Sequence, residues 1–331
     1  MNYRLFIDDE RFPVTPDWFI ARNSFQAIKA LELYGMPKEI AFDHDLGSQD
    51  TAIVFINHHG EKKYVFPEIP RTGIVGVQLM YEDDSELFDL LCTFDTIRRN
   101  NPYVSLTLDL PYIPYSRMDR VERESDSFSL KSFANFVNNV IKPKSIKCLD
   151  AHSDVALALF DAPVTNYIPQ IDMVKNNFSH VDTLLVFPDA TAVKRYKKLF
   201  PEYQSVSINK ERDFQTGKII SSTLVKNDNT TDEFFWNMKN VVIVDDICSK
   251  GGTFLLASQL IKENIGHENY TINLIVAHCE AAIFDGELLK DGSPFNGKVY
   301  CTNSMQAMVK HLNMLKDLMR PPANRIIITS F

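Results

Sequence analysis

Residues 241–254 hold the densest set of groups in the chain that could do chemistry. Val241–Val244 predicts a short buried strand, and two acids, Asp245 and Asp246, follow it directly. A small-residue loop comes next, formed by Ser249, Lys250, Gly251, Gly252 and Thr253. A helix is predicted over Leu255–Lys262. Glycine N–H groups and a helix N-terminus bind phosphate, and the paired carboxylates suit the vicinal hydroxyls of a ribose. The alternative is an ordinary strand–turn–helix whose acids cap the helix.

Two other segments carry cations that could hold phosphates. Arg117 and Arg120 lie in a proline-rich loop after a predicted strand, where guanidinium groups could bind phosphates or stack on a base. Lys210 and Arg212 precede a polar stretch over 214–232, which we predict to be a mobile surface segment. The alternative for both segments is a solvated connection that binds nothing.

A histidine and several acids follow the predicted strands of the central part of the chain. His152 stands between Asp150 and Asp154 after a predicted buried strand, and Asp189 ends another strand. Oxygen and imidazole groups at the carboxyl ends of parallel strands can collect a divalent cation. The alternatives are a structural, hydrogen-bonded histidine and a simple strand-terminating turn.

Acids also end short strands within the first 50 residues. Three strands and one helix are predicted between residues 4 and 42, and the acids are Asp8, Asp9 and Asp43. The fragment resembles the first half of a cyclic-phosphate-processing receiver domain. Half a receiver cannot cover both faces of its sheet, so we expect it to dock on the rest of the chain. The alternative is an acidic α/β appendage without activity.

The motifs between residues 52 and 331 resemble those of ribose-phosphate pyrophosphokinases (PRPP synthetases), relatives of the type I phosphoribosyltransferases. The resemblance implies that Asp245 and Asp246 bind ribose hydroxyls and that residues 249–253 bind the 5-phosphate. Lys210 and Arg212 are the implied catalytic residues, which close over the transferring phosphates. The implied ATP contacts are Glu68, Arg117, Met118, Asp119, Arg120 and His152. The implied Mg²⁺ ligands or their water-mediated partners are Asp150, His152, Asp154 and Asp189.

The chain departs from the family pattern at several of these positions. Met118 and Glu211 replace a Gln and an Arg, and Ser249 replaces an Asp. Losing an acid there and gaining Lys250 would suit a bulkier 5′-substituent, and some phage relatives pyrophosphorylate ADP-ribose. The expected activity is therefore diphosphate transfer from ATP to ribose 5-phosphate. The alternatives are transfer to ADP-ribose, a phosphoribosyltransferase that uses PRPP, and a non-catalytic regulator of the same fold.

Composition excludes several other classes of protein. The 331 residues are 45% hydrophobic and 24% charged, with a net charge of −8 that does not favour nucleic-acid binding. No apolar run approaches the length of a membrane span, and the five scattered cysteines fit reduced thiols. We expect a cytoplasmic protein, in the host cytoplasm if it is phage-encoded, with no membrane partner.

Alternating strands and helices predict an α/β fold with parallel sheets. We expect two tandem phosphoribosyltransferase-like domains, with the ATP loop in residues 51–185 and the ribose-phosphate loop in residues 186–331. Residues 1–50 form the receiver-like fragment. The expected partners are ATP, a 5-phosphorylated ribose and further copies of the chain, as a dimer or hexamer that the family resemblance implies.

Overall fold

A computed structural model describes residues 4–7, 18–21, 39–42, 53–56, 62–65, 73–212, 219–227, 230–266, 269–317 and 323–330. The chain divides into two compact units. One comprises residues 1–73 and 91–104, and the other comprises residues 74–90 and 105–331. Among the helices that these ranges contain, none has the length and apolar composition that a bilayer crossing requires.

The described part of the N-terminal region contains three parallel strands and a hairpin. The strands are β1 (Arg4–Ile7), β2 (Trp18–Ala21) and β3 (Glu39–Phe42), in the order β2-β1-β3. The hairpin pairs β4 (Ile53–Ile56) with β5 (Lys62–Val65) in antiparallel register. The three strands confirm the sequence prediction. The predicted helix and the acids Asp8, Asp9 and Asp43 lie outside the described residues.

A four-stranded sheet follows, in the order β6-β7-β8-β9, with β7, β8 and β9 parallel. Its strands are β6 (Gly73–Gln78), β7 (Val104–Leu110), β8 (Ile146–Leu149) and β9 (Val164–Tyr167). Its helices are α1 (Ser85–Asn100), α2 (Ser129–Phe136), α3 (Asp154–Ala158) and α4 (Gln170–Asn177). Helix α2 continues into a π-helical turn over Val137–Ile141. The predicted strand–helix alternation is confirmed here.

The C-terminal sheet has seven strands in the described residues, in the order β12-β11-β10-β13-β14-β15-β16. The strands are β10 (Thr183–Phe187), β11 (Gln204–Arg212), β12 (Ile219–Lys226), β13 (Asn240–Cys248), β14 (Thr271–Cys279), β15 (Val299–Thr302) and β16 (Ile326–Thr329). The α-helices are α5 (Ala190–Tyr196), α6 (Asp232–Asn237), α7 (Gly252–Asn264) and α8 (Gln306–Asp317). Short 3₁₀ segments cover Lys197–Leu199, Ala281–Asp285 and Ala323–Arg325.

The core of this sheet explains its continuous apolar strands. All five residues of β10 are buried. Leu184 and Val186 pack into the cluster on one face, whereas Leu185 and Phe187 pack into the cluster on the other face. Because successive side chains of a strand alternate between faces, a strand covered on both sides needs an unbroken apolar run. The predicted domain boundary at residues 185 and 186 falls inside this strand.

Two elements differ from the sequence prediction. Strand β13 does not end at Val244 but continues through the two acids to Cys248, because β14 supplies ladder partners as far as Cys279. The prediction of a mobile segment over 214–232 is wrong for residues 219–226, which form β12 and pair antiparallel with β11. Its Ile, Thr and Val residues favour a strand once a partner edge is present.

Candidate active site

The two acids of the 241–254 motif lie in the centre of the seven-stranded sheet. Strand β13 pairs with β10 on one side and β14 on the other, and Val241–Val244 are fully buried. Asp245 and Asp246 therefore stand towards the carboxyl ends of parallel strands, where open α/β sheets bind ligands. Asp246 is only 6% exposed, so its carboxylate needs partners from the protein or a ligand.

The loop after β13 has the form of an anion cradle. Helix α7 begins at Gly252, earlier than predicted, so Gly252 and Thr253 belong to its first turn and are exposed. Gly251 precedes the helix with a left-handed φ of 79°, and a Cβ there would lie 2.9 Å from Leu288. The first amides of a helix have no intrahelical acceptor, so they are available to a phosphate.

His152, which follows a strand of the four-stranded sheet, contacts one of the acids of the seven-stranded sheet. It follows β8, and its Nδ1 donates a hydrogen bond to Oδ2 of Asp246. The His152 side chain remains 35% exposed, so it can also face a ligand. The structure thus places two segments that are 94 positions apart in sequence in direct contact, as expected if ATP and ribose meet at one site.

The electrostatics of the paired acids differ. Burial raises the pKa of Asp246, but the hydrogen bond from His152 and the charges of His152 and Arg195 outweigh it, so that the pKa lies below its ordinary value. Burial, together with the charges of Asp246 and Asp189, raises the pKa of Asp245 well above its ordinary value. Asp246 is therefore the ionised member of the pair. A neighbouring cation or a hydroxyl donor would stabilise the ionised form of Asp245.

Arg195, which the sequence analysis did not single out, is central to this arrangement. Its guanidinium pairs with Asp150 and lies 3.4 Å from Oδ2 of Asp246. It also donates 2.6 Å hydrogen bonds to the carbonyl oxygens of Ala151 and His152. Burial lowers the pKa of Arg195, but the neighbouring groups raise it by more, so the pKa lies above its ordinary value and the side chain stays charged.

A second residue missed from sequence, His278 of β14, joins the two sheets. Its Nε2 donates a 3.0 Å hydrogen bond to the carbonyl of Leu149 in β8, and its Nδ1 accepts one of 2.7 Å from Ser304. Burial lowers the pKa of His278 to about 4, so the imidazole is neutral at pH 7. The only sequence signal was a histidine inside an apolar strand, which has no local meaning.

The proline-rich loop reaches the residue that follows β14. Arg117 is half exposed and lies 3.6 Å from Glu280, which directly follows β14. Tyr115 has a left-handed φ of 60°, and its hydroxyl donates to Asp84. Arg120 is exposed, and its Nη2 lies 2.9 Å from Glu122. Met118 is exposed and Asp119 is half-buried. Because Arg117 and Arg120 are exposed, the loop presents two cations to solvent.

The remaining predicted site residues fall into three groups. Asp189 caps α5 by accepting from the N–H of Ala192 at 3.0 Å, and Asp154 is exposed in the first turn of α3. Lys210 and Arg212 lie at the C-terminal end of β11, where they pair with Ser222 and Ile219 of β12. Glu68 lies outside the described residues. The ATP, ribose and metal roles predicted for all these residues stay predictions.

Asp150 is placed differently from a residue that faces a ligand. It is fully buried, with donors from Arg195, Gln170 and Tyr196 around its carboxylate. Within the described ranges, no group of three histidine, cysteine, aspartate or glutamate residues is arranged to hold a metal ion by itself.

Comparison with known proteins places the chain in a family. The ribose-phosphate pyrophosphokinase of Sulfurisphaera tokodaii is 30% identical over 212 residues, which are 62% of this chain and 69% of that protein. The chain belongs to the ribose-phosphate pyrophosphokinase family. The family member of Pyrococcus furiosus is 25% identical over 262 residues, 78% of this chain and 88% of that protein. The predicted family is thereby confirmed.

Two further matches concern the fold of this pyrophosphokinase family member. The crystal structure of phosphoribosylpyrophosphate synthetase from Mycobacterium smegmatis matches with a TM-score of 0.62 at 20% identity, covering 100% of this chain and 95% of that one. This confirms the predicted fold class. Residues 3–75 match the family described as the cyclic-phosphate processing receiver domain, which confirms the receiver resemblance and extends it past residue 50.

Proposed function

We propose that the protein transfers the β,γ-diphosphoryl group of ATP to the C1 hydroxyl of ribose 5-phosphate, giving PRPP and AMP. The observation that carries the proposal is the contact between His152 and Asp246, which joins the predicted ATP segment to the predicted ribose segment. A phosphoribosyltransferase that uses PRPP would share the 241–254 motif but would not need this contact.

The ribose phosphate would bind along β13 and the loop after it. The carboxylate of Asp246 accepts from one ribose hydroxyl, and Asp245, whose pKa is raised by burial and by nearby acids, accepts from the other. The 5-phosphate lies on the first amides of α7, with the hydroxyl of Thr253 exposed beside it. These contacts orient the C1 hydroxyl towards the sheet edge that carries His152.

ATP would bind between the proline-rich loop and the antiparallel pair of strands β11 and β12, called the β11–β12 arm. Arg117 and Arg120 are exposed and suit phosphates or the adenine ring. Lys210 and Arg212 stand near the end of the antiparallel arm, from which they can cover the transferring phosphates and exclude water. Transfer between two held substrates is mainly a matter of positioning and of stabilising charge.

The donors at this edge fit Mg²⁺ better than a softer metal. The charges of Asp246 and Asp189 both raise the pKa of Asp245, so the three carboxylates act on one another electrostatically, and hard carboxylate oxygens are the ligands that Mg²⁺ prefers. Asp189 and His152, and Asp154 through water, would hold the ion together with ATP oxygens. Magnesium, when bound, neutralises the charge of the phosphates.

We also propose a homo-oligomer, which light scattering would test.

ADP-ribose is a second candidate acceptor. Ser249 stands where the family pattern has an acid, and Lys250 is exposed at the mouth of the loop. Around Gly252, no heavy atom of the residues that the structure describes lies within 4 Å of a Cβ position. A cation and open space beside the 5-phosphate would accommodate a second phosphate and its nucleoside.

Mass spectrometry of the products tests both acceptors. The purified protein is incubated with ATP and Mg²⁺, and with either ribose 5-phosphate or ADP-ribose, and AMP and the pyrophosphorylated product are quantified. The Asp246→Asn variant serves as the inactive control. We expect product with ribose 5-phosphate; product with ADP-ribose alone would move the assignment to the second acceptor. AMP without either pyrophosphorylated product, or no turnover at all, would refute the proposed function.

A further inference from the structure

Three protein side chains donate hydrogen bonds to the buried carboxylate of Asp150. Its Oδ1 pairs with Nη2 of Arg195, and its Oδ2 accepts from Nε2 of Gln170 and, at 2.5 Å, from the hydroxyl of Tyr196. The residue is 0% exposed and has a left-handed φ of 36°. A carboxylate so enclosed is shielded from solvent, so we expect its role to be exerted through the residues that hold it.

Two of the three side chains that hold Asp150 also reach the strand of the predicted ribose-binding acids. Arg195 lies 3.4 Å from Oδ2 of Asp246, and Gln170 donates a 2.8 Å hydrogen bond to the carbonyl of Asp245. Gln170 begins α4 and Arg195 lies in α5, so two helices meet at one buried anion. The anion at the end of β8 is thus linked to β13 from both sides.

Arg195 also holds the backbone between Asp150 and His152. Its two terminal nitrogens each donate a 2.6 Å hydrogen bond, to the carbonyls of Ala151 and His152. A planar guanidinium has its donors in a fixed fork, so these contacts set the orientation of the turn. His152 leaves this turn to reach Asp246, and any shift of the turn would change that contact.

We propose that Asp150, Arg195 and Gln170 form a positioning clamp that fixes His152 against the Asp245–Asp246 pair. The proposal rests on the proposed function, since it assigns the clamp to the alignment of ATP with the ribose. Asp150 acts through Arg195 and Gln170 and touches neither substrate nor metal. The three residues are positioning residues, and their loss should reduce the alignment of two bound substrates more than the binding of either one.

A double-mutant cycle tests the clamp. Asp150→Asn, Arg195→Met and the double variant are compared with the wild type by kcat, by KM for both substrates, and by calorimetric binding of each substrate alone. Each single variant should lower kcat by about 30-fold or more, with the separate affinities changed only a few-fold. Because both side chains serve one clamp, the double variant should be no worse than the poorer single variant.

Three other variants keep the test decisive. Gln170→Ala removes a donor without uncovering a buried charge, and it should lower kcat less than Asp150→Asn does. Arg195→Lys keeps the charge but cannot span the same acceptors, so it should not restore the wild-type kcat. Lys175→Met removes a Lys175–Glu202 ion pair at 3.2 Å on the exposed side of α4 and should leave kcat unchanged. Additive losses, or a wild-type kcat in Asp150→Asn, would overturn the proposal.

Hydrogen exchange gives a readout that does not depend on turnover. In the full chain without substrates, Asp150→Asn and Arg195→Met should each speed exchange in both residues 150–153 and residues 245–248. Faster exchange on only the mutated side would show that the clamp does not connect the segments. If the wild type forms no product while exchange couples the two segments, the proposed function fails and the clamp stands.

Discussion

Gly251 is the position in the phosphate cradle where one added methyl group should do most damage. Its φ of 79° lies in the left-handed region, which costs a residue with a Cβ about 1–2 kcal/mol. In Gly251→Ala the new Cβ would also lie 2.9 Å from Cβ and Cδ2 of Leu288, inside the contact distance of about 3.5–4.0 Å for carbon atoms. Leu288 is fully buried and cannot swing away, so overpacking adds about 1–3 kcal/mol.

The expected loss in the free energy of unfolding is therefore about 2–5 kcal/mol, from strain and overlap together. If the loop shifts to relieve the overlap, the amides at the start of α7 move away from the phosphate. One weakened hydrogen bond to a charged group is worth about 1.5–3 kcal/mol, so KM for the phosphorylated ribose should rise by about tenfold or more. Urea denaturation and steady-state kinetics measure the two effects.

Two variants separate the causes. Gly252→Ala adds the same methyl group one residue later, where the described part of the chain has no heavy atom within 4 Å and the backbone is already helical. Its free energy of unfolding should stay equal or rise by up to about 1 kcal/mol. Gly251→Asn tolerates the left-handed backbone but keeps the overlap, so it should fall between the two. Wild-type stability in Gly251→Ala, or an equal loss in Gly252→Ala, would refute the reasoning.

Three further predictions concern charge. Lys210→Ala should lower kcat, measured by rapid-quench kinetics, by at least roughly 10²-fold with little effect on the free energy of unfolding. Near-wild-type turnover in this variant would show that Lys210 takes no part in the chemistry. Replacing Asp245 and Asp246 together by Asn should abolish calorimetric binding of the ribose substrate but leave ATP binding measurable; equal weakening of both ligands would contradict the assignment. His278 has a pKa lowered to about 4 in the folded chain. Because the unfolded chain binds the extra proton between about pH 6.5 and pH 4, the neutral histidine's contribution to stability is present above that window and lost as the pH falls through it. The pH dependence of urea unfolding should therefore be flatter in His278→Gln than in the wild type, and parallel curves would show that His278 is not the group that titrates.

Local signals were sufficient for most of the fold. The apolar run of β10 and the periodic apolar residues of α1 predict their own structures, because burial on two faces or one face imposes a residue pattern within a single element. The loop after β13 is readable for the same reason, since a glycine with a left-handed φ and a helix start are local requirements. The family resemblance also rested on such short segments.

Long-range pairing decided the rest. Strand β13 passes through Asp245 and Asp246 because β14 offers hydrogen bonds beyond the apolar run, and β12 forms because the edge of β11 offers it ladder partners. Arg195 and His278 carry no local signal, since a helical arginine and a histidine in a strand acquire meaning only from groups on other elements. The buried anion of Asp150 needs a cation, and which cation reaches it depends on how α5 packs beside β8 and β13. Sequence by itself determined which segments could bind phosphate and sugar, and tertiary packing decided which side chains hold those segments together.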